Sequence, residues 1–144
     1  MDKGLAKWAT AAVEEIVRCL DSAGARELPV TVVHGDFAEW NVHYDTEGRL
    51  AGVIDFGLTH LDSRPYELAI ARTYRSPETV AAYADELGSL GWPLSELEVA
   101  CIQPVYRAFR VDMAAWQLDV GRRTGTYDIR MIERQLALTG TERP

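Results

Sequence analysis

Two short acidic motifs decide the fold of this 144-residue chain. Residues 34–41 read HGDFAEWN, and residues 54–57 read IDFG. Each motif follows or ends a short run rich in Val, Ile or Leu, which is typical of a strand, and its glycine favours a turn. We therefore expect Asp36 and Asp55 to lie at strand ends, close to one another at the mouth of a cleft.

The segment between the two motifs predicts a β-hairpin. Residues 42–44 form its first arm, residues 50–54 form its second arm, and residues 45–48, which read DTEG, form the turn. Residues 30–33 precede the first motif and read VTVV, a β-branched run that predicts a buried strand. The β structure of the chain is thus expected to be small and to carry both motifs.

The rest of the chain has the periodicity of helices. Between Leu5 and Leu20, apolar residues recur at steps of three and four, with charged residues on the opposite side. Ser95 and Glu98 have the spacing of a capping box. The predicted helices cover residues 5–20, residues from 66 onward, residues from 76 to 90, residues from 95 towards 121 and residues 128–138. The fold class predicted is α+β, mainly α, with one small β element.

The net charge and the composition of the chain limit the classes of molecule that it is expected to bind. The chain has 15 Lys and Arg against 22 Asp and Glu, which gives a net charge of −7. Such a protein repels a phosphate backbone and an anionic membrane, so we expect neither nucleic acid nor a membrane as a partner. The first residues do not resemble a secretory signal, and a cytoplasmic location is expected. Cys19 and Cys101 occur singly in helical patterns and are interpreted as reduced structural thiols.

Three polar residues of the motifs suit phosphoryl transfer to a hydroxyl group. Asn41 lies five residues after Asp36, and Asp55 lies nineteen residues after Asp36. One carboxylate can accept or orient the proton of the attacking hydroxyl, while an amide oxygen and a second carboxylate can hold Mg²⁺. Because Mg²⁺ keeps waters and phosphate oxygens in its other positions, two protein ligands are sufficient.

These motifs resemble those of the aminoglycoside phosphotransferase and choline kinase family, distant relatives of protein kinases. The catalytic loop of that family reads H-G-D-x-x-x-x-N and its metal motif reads I-D-[FW]-[GE], and this chain matches both. The resemblance implies that Asp36 is the catalytic carboxylate and that His34 supports the catalytic loop. It also implies that Asn41 and Asp55 are the metal ligands and bind the cofactor, ATP with Mg²⁺. Glu67 matches an acid that precedes Leu-Ala in the family and has a structural role there.

The resemblance further implies a domain organisation. A complete kinase of this kind has an N-terminal lobe with a phosphate-covering loop and a lysine that pairs with the phosphates. Neither feature precedes His34 in this chain. We expect residues 1–144 to form one domain, the C-terminal catalytic lobe of the protein-kinase-like fold, with the N-terminal nucleotide lobe absent. Because positioning contacts supply most of the catalysis of phosphoryl transfer, we expect the isolated lobe to be nearly inactive.

Several residues near the motifs are candidates for substrate binding. Glu39 and Asp62 could receive a cationic substrate, although most exposed acids have no such role. Trp40 could stack on a substrate ring or cation, or it could pack the loop that contains it. His43 and His60 occur singly, and a surface or packing role is the favoured interpretation for both.

Two functions of different classes follow from these features. The first is an ATP- and Mg²⁺-dependent phosphotransferase that moves the γ-phosphoryl group to a hydroxyl of a small, cationic acceptor, such as an aminoglycoside-like compound. The alternative is a catalytically incomplete remnant or interaction module, which pairs with itself or with a separate N-terminal lobe. An uncovered cleft would expose apolar surface at residues 37–40 and 56–61, so a homodimer through that face is expected.

Overall fold

The computed structural model describes residues 3–74 and 77–143, without the side chains of Pro77 and Thr79. Most of these residues are helical, as predicted, and the helices are α1 (Lys3–Ser22), α2 (Arg64–Tyr74), α3 (Pro77–Ser89), α4 (Glu96–Thr124) and α5 (Ile129–Ala137). The strands are β1 (Thr31–Val33), β2 (Val42–Tyr44), β3 (Leu50–Val53) and β4 (His60–Asp62). Ser76, which begins the predicted third helix, lies outside the described residues.

Two antiparallel strand pairs carry the acidic motifs. Strands β2 and β3 form the predicted hairpin, with Val42 opposite Val53. Strand β1 pairs with β4, so that Val33 lies opposite His60 and Thr31 lies opposite Asp62. The sequence did not predict β4, because its three residues are too few to establish an alternating pattern.

The prediction of a buried strand at residues 30–33 is wrong for most of that segment. Val33 is buried, whereas the side chain of Val32 is 68% exposed and Val30 is exposed as well. Strand β1 belongs to a two-stranded sheet in which successive side chains point to opposite faces. Because the sheet packs on one face, Val32 and its cross-strand partner Leu61 remain exposed on the other.

The chain forms two compact units, and α4 contributes residues to both. The first unit contains residues 3–23 and 107–143 among the described residues. Its core consists of side chains from α1, α4 and α5, namely Leu5, Trp8, Ala12, Ala114, Ile132 and Leu136. The spacing of the buried residues in α1 confirms the predicted helix, but Val13 and Val17 are exposed, so the packed stripe is narrower than the apolar pattern suggested.

The second unit, residues 24–106, contains both acidic motifs. Its buried apolar side chains include Leu68 and Ile70 of α2, Cys101 and Val105 of α4, Val33 of β1 and Val42 of β2. The predicted capping box is confirmed, since Ser95 Oγ accepts the Glu98 N–H at 3.2 Å and Glu98 Oε2 accepts the Ser95 N–H at 2.8 Å. Both Cys19 and Cys101 are free thiols. Among the described residues, no helix combines the length and the apolar character needed to cross a bilayer.

Candidate active site

The first motif leaves β1 through a tight loop that requires a glycine. Gly35 has a φ of +82°, a backbone conformation that is costly for any residue with a β-carbon. A β-carbon at this position would overlap the carbonyl oxygen of Leu58 and would lie 3.1 Å from Nδ1 of His60. The loop therefore packs directly against the segment that follows the second motif.

Asn41 orients the carboxylate of Asp36. Its side-chain nitrogen Nδ2 donates to the backbone carbonyl of Asp36 and to Oδ2 of the same residue, each at 2.9 Å. Asn41 is buried and Asp36 is half-buried, so these bonds are partly shielded from water. Because both acceptors require a donor, the nitrogen of the amide faces Asp36 and its oxygen Oδ1 is left for another partner.

The ring of His34 connects the two motifs. Its Nδ1 accepts the N–H of Asp36 at 3.3 Å, and its Nε2 lies 2.8 Å from the carbonyl oxygen of Ile54. Since Nδ1 is an acceptor, the ring proton is on Nε2 and is donated to Ile54. The N–H of Ile54 in turn donates to the carbonyl of Asn41 at 2.9 Å. Both backbone polar groups of Ile54 are thus held by the first motif, which places the next residue, Asp55, beside it.

Asp55 has an unusual backbone conformation. Its φ of 61° and ψ of 64° lie in the left-handed region. Among the described residues, Asp55 is the one residue other than glycine with a positive φ. The Asp55 carboxylate accepts the N–H of Gly57 at 3.4 Å and so caps the short 3₁₀ helix Phe56–Leu58. A short polar side chain tolerates this region better than most because it can form such local bonds. Backbone strain of this kind is concentrated at functional sites.

Helix α2 anchors the loop of the first motif. Glu67 lies in the first turn of α2, where its Oε1 accepts the N–H of His34 at 3.0 Å and its Oε2 accepts the N–H of Gly35 at 3.2 Å. Hydrogen bonds to a charged carboxylate are stronger than those between neutral groups. The sequence assigned Glu67 a structural position, and the structure identifies the loop that it holds.

Sequence comparison then decides the family. Residues 2–99 match the model of APH, the phosphotransferase enzyme family. The chain belongs to this phosphotransferase family. This confirms the family resemblance deduced from the two motifs. No curated protein matches the chain.

Solved structures of two kinds of kinase resemble this phosphotransferase-family chain. One is a thermostable mutant of the aminoglycoside phosphotransferase APH(4)-Ia, in the apo form and in a ternary complex with AMP-PNP and hygromycin B. In both forms the TM-score is 0.65 at 20% identity, over 97% of this chain and 44% of the other. The second is an ethanolamine kinase of Plasmodium vivax, with a TM-score of 0.62 at 18% identity, over 95% of this chain and 47% of the other. These likenesses establish a kinase-like fold, and the chain spans less than half the length of each structure.

The predicted substrate-binding residues of this family member lie in two separate places. Glu39 and Trp40 lie exposed on the 3₁₀ turn that ends at Asn41. The ring of Trp40 packs edge-on against Tyr74, at the end of α2, with a centroid distance of 4.7 Å. Asp62 ends β4, next to His60.

The polar residues of the motifs provide individual oxygen ligands and do not form a cluster of metal-binding side chains. In the part of the chain that the structure describes, no group of three or more His, Cys, Asp or Glu side chains could hold a metal ion. A Mg²⁺ site does not require such a group, because Mg²⁺ binds through few protein oxygens and retains waters.

Sequence reasoning missed an ion pair between the start of α2 and the start of α4. Arg64, at the start of α2, donates from Nε to Glu98 Oε1 at 2.7 Å and from Nη2 to Oε2 at 2.6 Å. Glu98 is fully buried, and the bonds from Arg64 hold the pKa of its carboxyl below the usual value. Arg64 also donates to the carbonyls of Trp92 and Pro93. The capping box identified Glu98, but no local signal points to a partner 34 residues away.

Proposed function

We propose that this chain supplies the catalytic centre of an ATP- and Mg²⁺-dependent phosphotransferase, which transfers the γ-phosphoryl group to a hydroxyl of a small, cationic acceptor. Membership of the phosphotransferase family supports this reaction class. The observation that carries the proposal is the bond from Asn41 to the Asp36 carboxylate, within a loop that His34 joins to Ile54. Because the chain spans less than half of the similar structures, the activity is proposed for the whole protein.

In this proposal Asp36 orients the acceptor hydroxyl and receives its proton. The bond from Asn41 keeps Oδ2 in place, and the bond from the Asp36 N–H to His34 fixes the backbone. Positioning of this kind supplies much of the rate enhancement in phosphoryl transfer, since the protein has little covalent chemistry to perform. Glu67 acts through the loop by holding the N–H groups of His34 and Gly35.

Asn41 and Asp55 are the side chains that would hold Mg²⁺. The nitrogen of Asn41 is turned towards Asp36, so the remaining amide atom is an oxygen, and Asp55 offers an exposed carboxylate. Oxygen donors of this type suit Mg²⁺, which when bound neutralises charge on the phosphates of ATP. The contribution of His34 is to hold the Ile54 carbonyl and thereby the backbone that leads to Asp55.

The nature of the two substrates is proposed from the comparisons and from charge. One similar structure contains AMP-PNP and hygromycin B, and another is an ethanolamine kinase. The net charge of −7 favours the approach of a cation. A nucleotide and a small cationic alcohol are therefore the substrate classes that we propose.

The test uses the Asp36→Asn variant of a polypeptide that includes the whole of this chain. Phosphoryl transfer from ATP is measured with a panel of amino alcohols as acceptors. The expected result is a fall in kcat of roughly 10²–10⁴-fold, because the proton acceptor is lost, with nucleotide affinity nearly unchanged. Asp85→Asn, an exposed acid of α3, is the matched control for loss of one charge. An equal loss of turnover and nucleotide affinity would move Asp36 into the metal site, and unchanged turnover would refute the proposal.

A second candidate function is supported by apolar exposure near the site. Phe56, Leu58 and Leu61 are each more than 60% exposed, as expected for residues 56–61, whereas in the other expected segment, residues 37–40, Ala38 is buried and Trp40 is exposed. We propose as the alternative that this segment mediates self-association in a catalytically incomplete protein, since large apolar side chains at a surface mark interaction sites.

A further inference from the structure

Two polar side chains of β4 lie beside the catalytic loop. His60 and Asp62 are two residues apart in the strand, and their pairing with Val33 and Thr31 of β1 places both on one face of the sheet. The Nδ1 atom of His60 lies 3.1 Å from the position that a β-carbon of Gly35 would occupy. The His60–Asp62 pair is therefore next to the residue that precedes Asp36.

The orientation of the His60 ring leaves one nitrogen as an acceptor. Nδ1 lies 2.8 Å from the carbonyl oxygen of Leu58, and because a carbonyl can only accept, the ring proton is on Nδ1. The other nitrogen, Nε2, then carries a lone pair. Tyr66 holds the ring by an edge contact with a centroid distance of 5.3 Å. The ring cannot turn over without losing its bond to Leu58.

The carboxylate of Asp62 provides a second acceptor, which faces Nε2 of His60. Its Oδ1 accepts the N–H of Ser63 at 2.6 Å and the Ser63 hydroxyl at 3.2 Å. Its Oδ2 lies 3.7 Å from Nε2 of His60. Over residues 3–74 and 77–143, no lysine or arginine pairs with Asp62, and the neighbouring Arg64 is bound to Glu98. With the ring proton on Nδ1, Nε2 and Oδ2 are two acceptors that face each other at 3.7 Å.

We propose that His60 and Asp62 bind the ammonium group of the cationic acceptor, an inference that rests on the proposed function. An ammonium group has three N–H donors and can bond both atoms at once, while its charge pairs with the carboxylate. The side chains are 42% and 39% exposed, so a ligand can reach them. This assigns a binding role to His60, for which the sequence favoured a surface or packing role.

A cationic group fits this pair better than a metal ion does. Mg²⁺ prefers oxygen ligands, whereas one of the two acceptors here is a nitrogen. Zn²⁺ accepts imidazole but needs more protein ligands than two, and the described residues contain no group of three that could supply them. The contact of His60 with Gly35 places the pair beside the loop of the first motif.

Ethanolamine is the probe, and ethylene glycol is its neutral counterpart of similar size. Each is titrated into the isotopically labelled chain without nucleotide at neutral pH, and NMR signals of the His60 ring and of the Asp62 and Ser63 amides are followed. Ethanolamine is expected to shift these signals and glycol is not. Asp62→Asn, which keeps an acceptor for Ser63, is expected to raise the apparent Kd by about three- to tenfold, as is usual for a partly exposed charged hydrogen bond.

His60→Gln is the second variant and is expected to weaken ethanolamine binding by about threefold or more, because one acceptor is misplaced. His43→Gln and Asp85→Asn are the controls, since both residues are exposed in the same unit and lie outside the β1–β4 sheet, and neither should change the Kd. Added salt should weaken binding to the wild type, because the attraction is between charges.

The result that would overturn the inference is ethanolamine binding of equal strength in the wild type and in Asp62→Asn, or equal shifts with ethylene glycol. Ring nitrogen shifts that show His60 doubly protonated and unaffected by ethanolamine would also overturn it, because the pair would then satisfy itself. The readout needs no turnover. Asp62-dependent binding by the chain, with no phosphoryl transfer by the polypeptide used in the Asp36→Asn test, would refute the proposed function alone. Turnover by that polypeptide with an acceptor KM unaffected by Asp62→Asn would refute this subsite alone.

Discussion

Substitution of Gly35 by alanine should destabilise the chain for two separable reasons. The first is the positive φ of +82°, which costs an alanine about 1–2 kcal/mol relative to glycine. The second is the overlap of the new β-carbon with the carbonyl of Leu58, a backbone group that cannot move without moving the 3₁₀ helix Phe56–Leu58. Overpacking of this kind costs about 1–3 kcal/mol. The sum is a loss of about 2–5 kcal/mol in the free energy of unfolding.

Gly48→Ala separates the two costs. Gly48 lies in the turn of the β2–β3 hairpin with a φ of +77°, but nothing lies within 4 Å of the position its β-carbon would take. This variant should lose only the conformational part, about 1–2 kcal/mol. Both glycines belong to the unit of residues 24–106, so the same unfolding transition reports on both.

Urea unfolding followed by circular dichroism measures the difference. Gly35→Ala should unfold at a lower urea concentration than Gly48→Ala, with a similar slope, and the gap should correspond to about 1–3 kcal/mol. Equal midpoints for the two variants would refute the reasoning, because the close approach of the catalytic loop to Leu58 would then carry no energetic weight. A lower slope for Gly35→Ala would instead indicate that this variant exposes less surface on unfolding. Its midpoint could then not be compared directly with that of Gly48→Ala.

The remaining predictions concern the buried ion pair and the exposed apolar segment. The pKa of Glu98 is lowered by Arg64, so the pair stabilises the fold above the ordinary carboxyl pKa and this stability is lost as the pH falls below that value. Glu98→Gln should therefore lower the free energy of unfolding by roughly 2–3 kcal/mol at neutral pH, and it should reduce the loss of stability that acid causes. If the variant loses stability in acid as steeply as the wild type does, this assignment is contradicted. If the segment containing Phe56, Leu58 and Leu61 mediates self-association, sedimentation should detect dimers that Leu61→Lys abolishes, whereas a monomer at high micromolar concentration would remove that alternative.

Local patterns in the sequence were sufficient for the features that depend on neighbours in the chain. The β2–β3 hairpin, the helix from residue 3 and the reciprocal bonds of Ser95 and Glu98 follow from alternation, periodicity and capping chemistry. The two motifs also identified the family, because their residue types and spacing are those of one reaction class. The roles of Asp36, His34, Asn41 and Asp55 remain predictions.

The tertiary structure decided what joins distant segments. Pairing of β1 with β4 brings His60 next to Gly35, and Glu67 reaches back to the N–H groups of the catalytic loop. The same pairing leaves Val32 exposed, although its β-branched run predicted a buried strand. Which face of a strand is packed, and which carboxylate meets which donor, depends on long-range register rather than on the residue types within a few positions of the chain. A pattern of local propensities therefore locates the acidic motifs, and only the folded chain determines the groups that surround them.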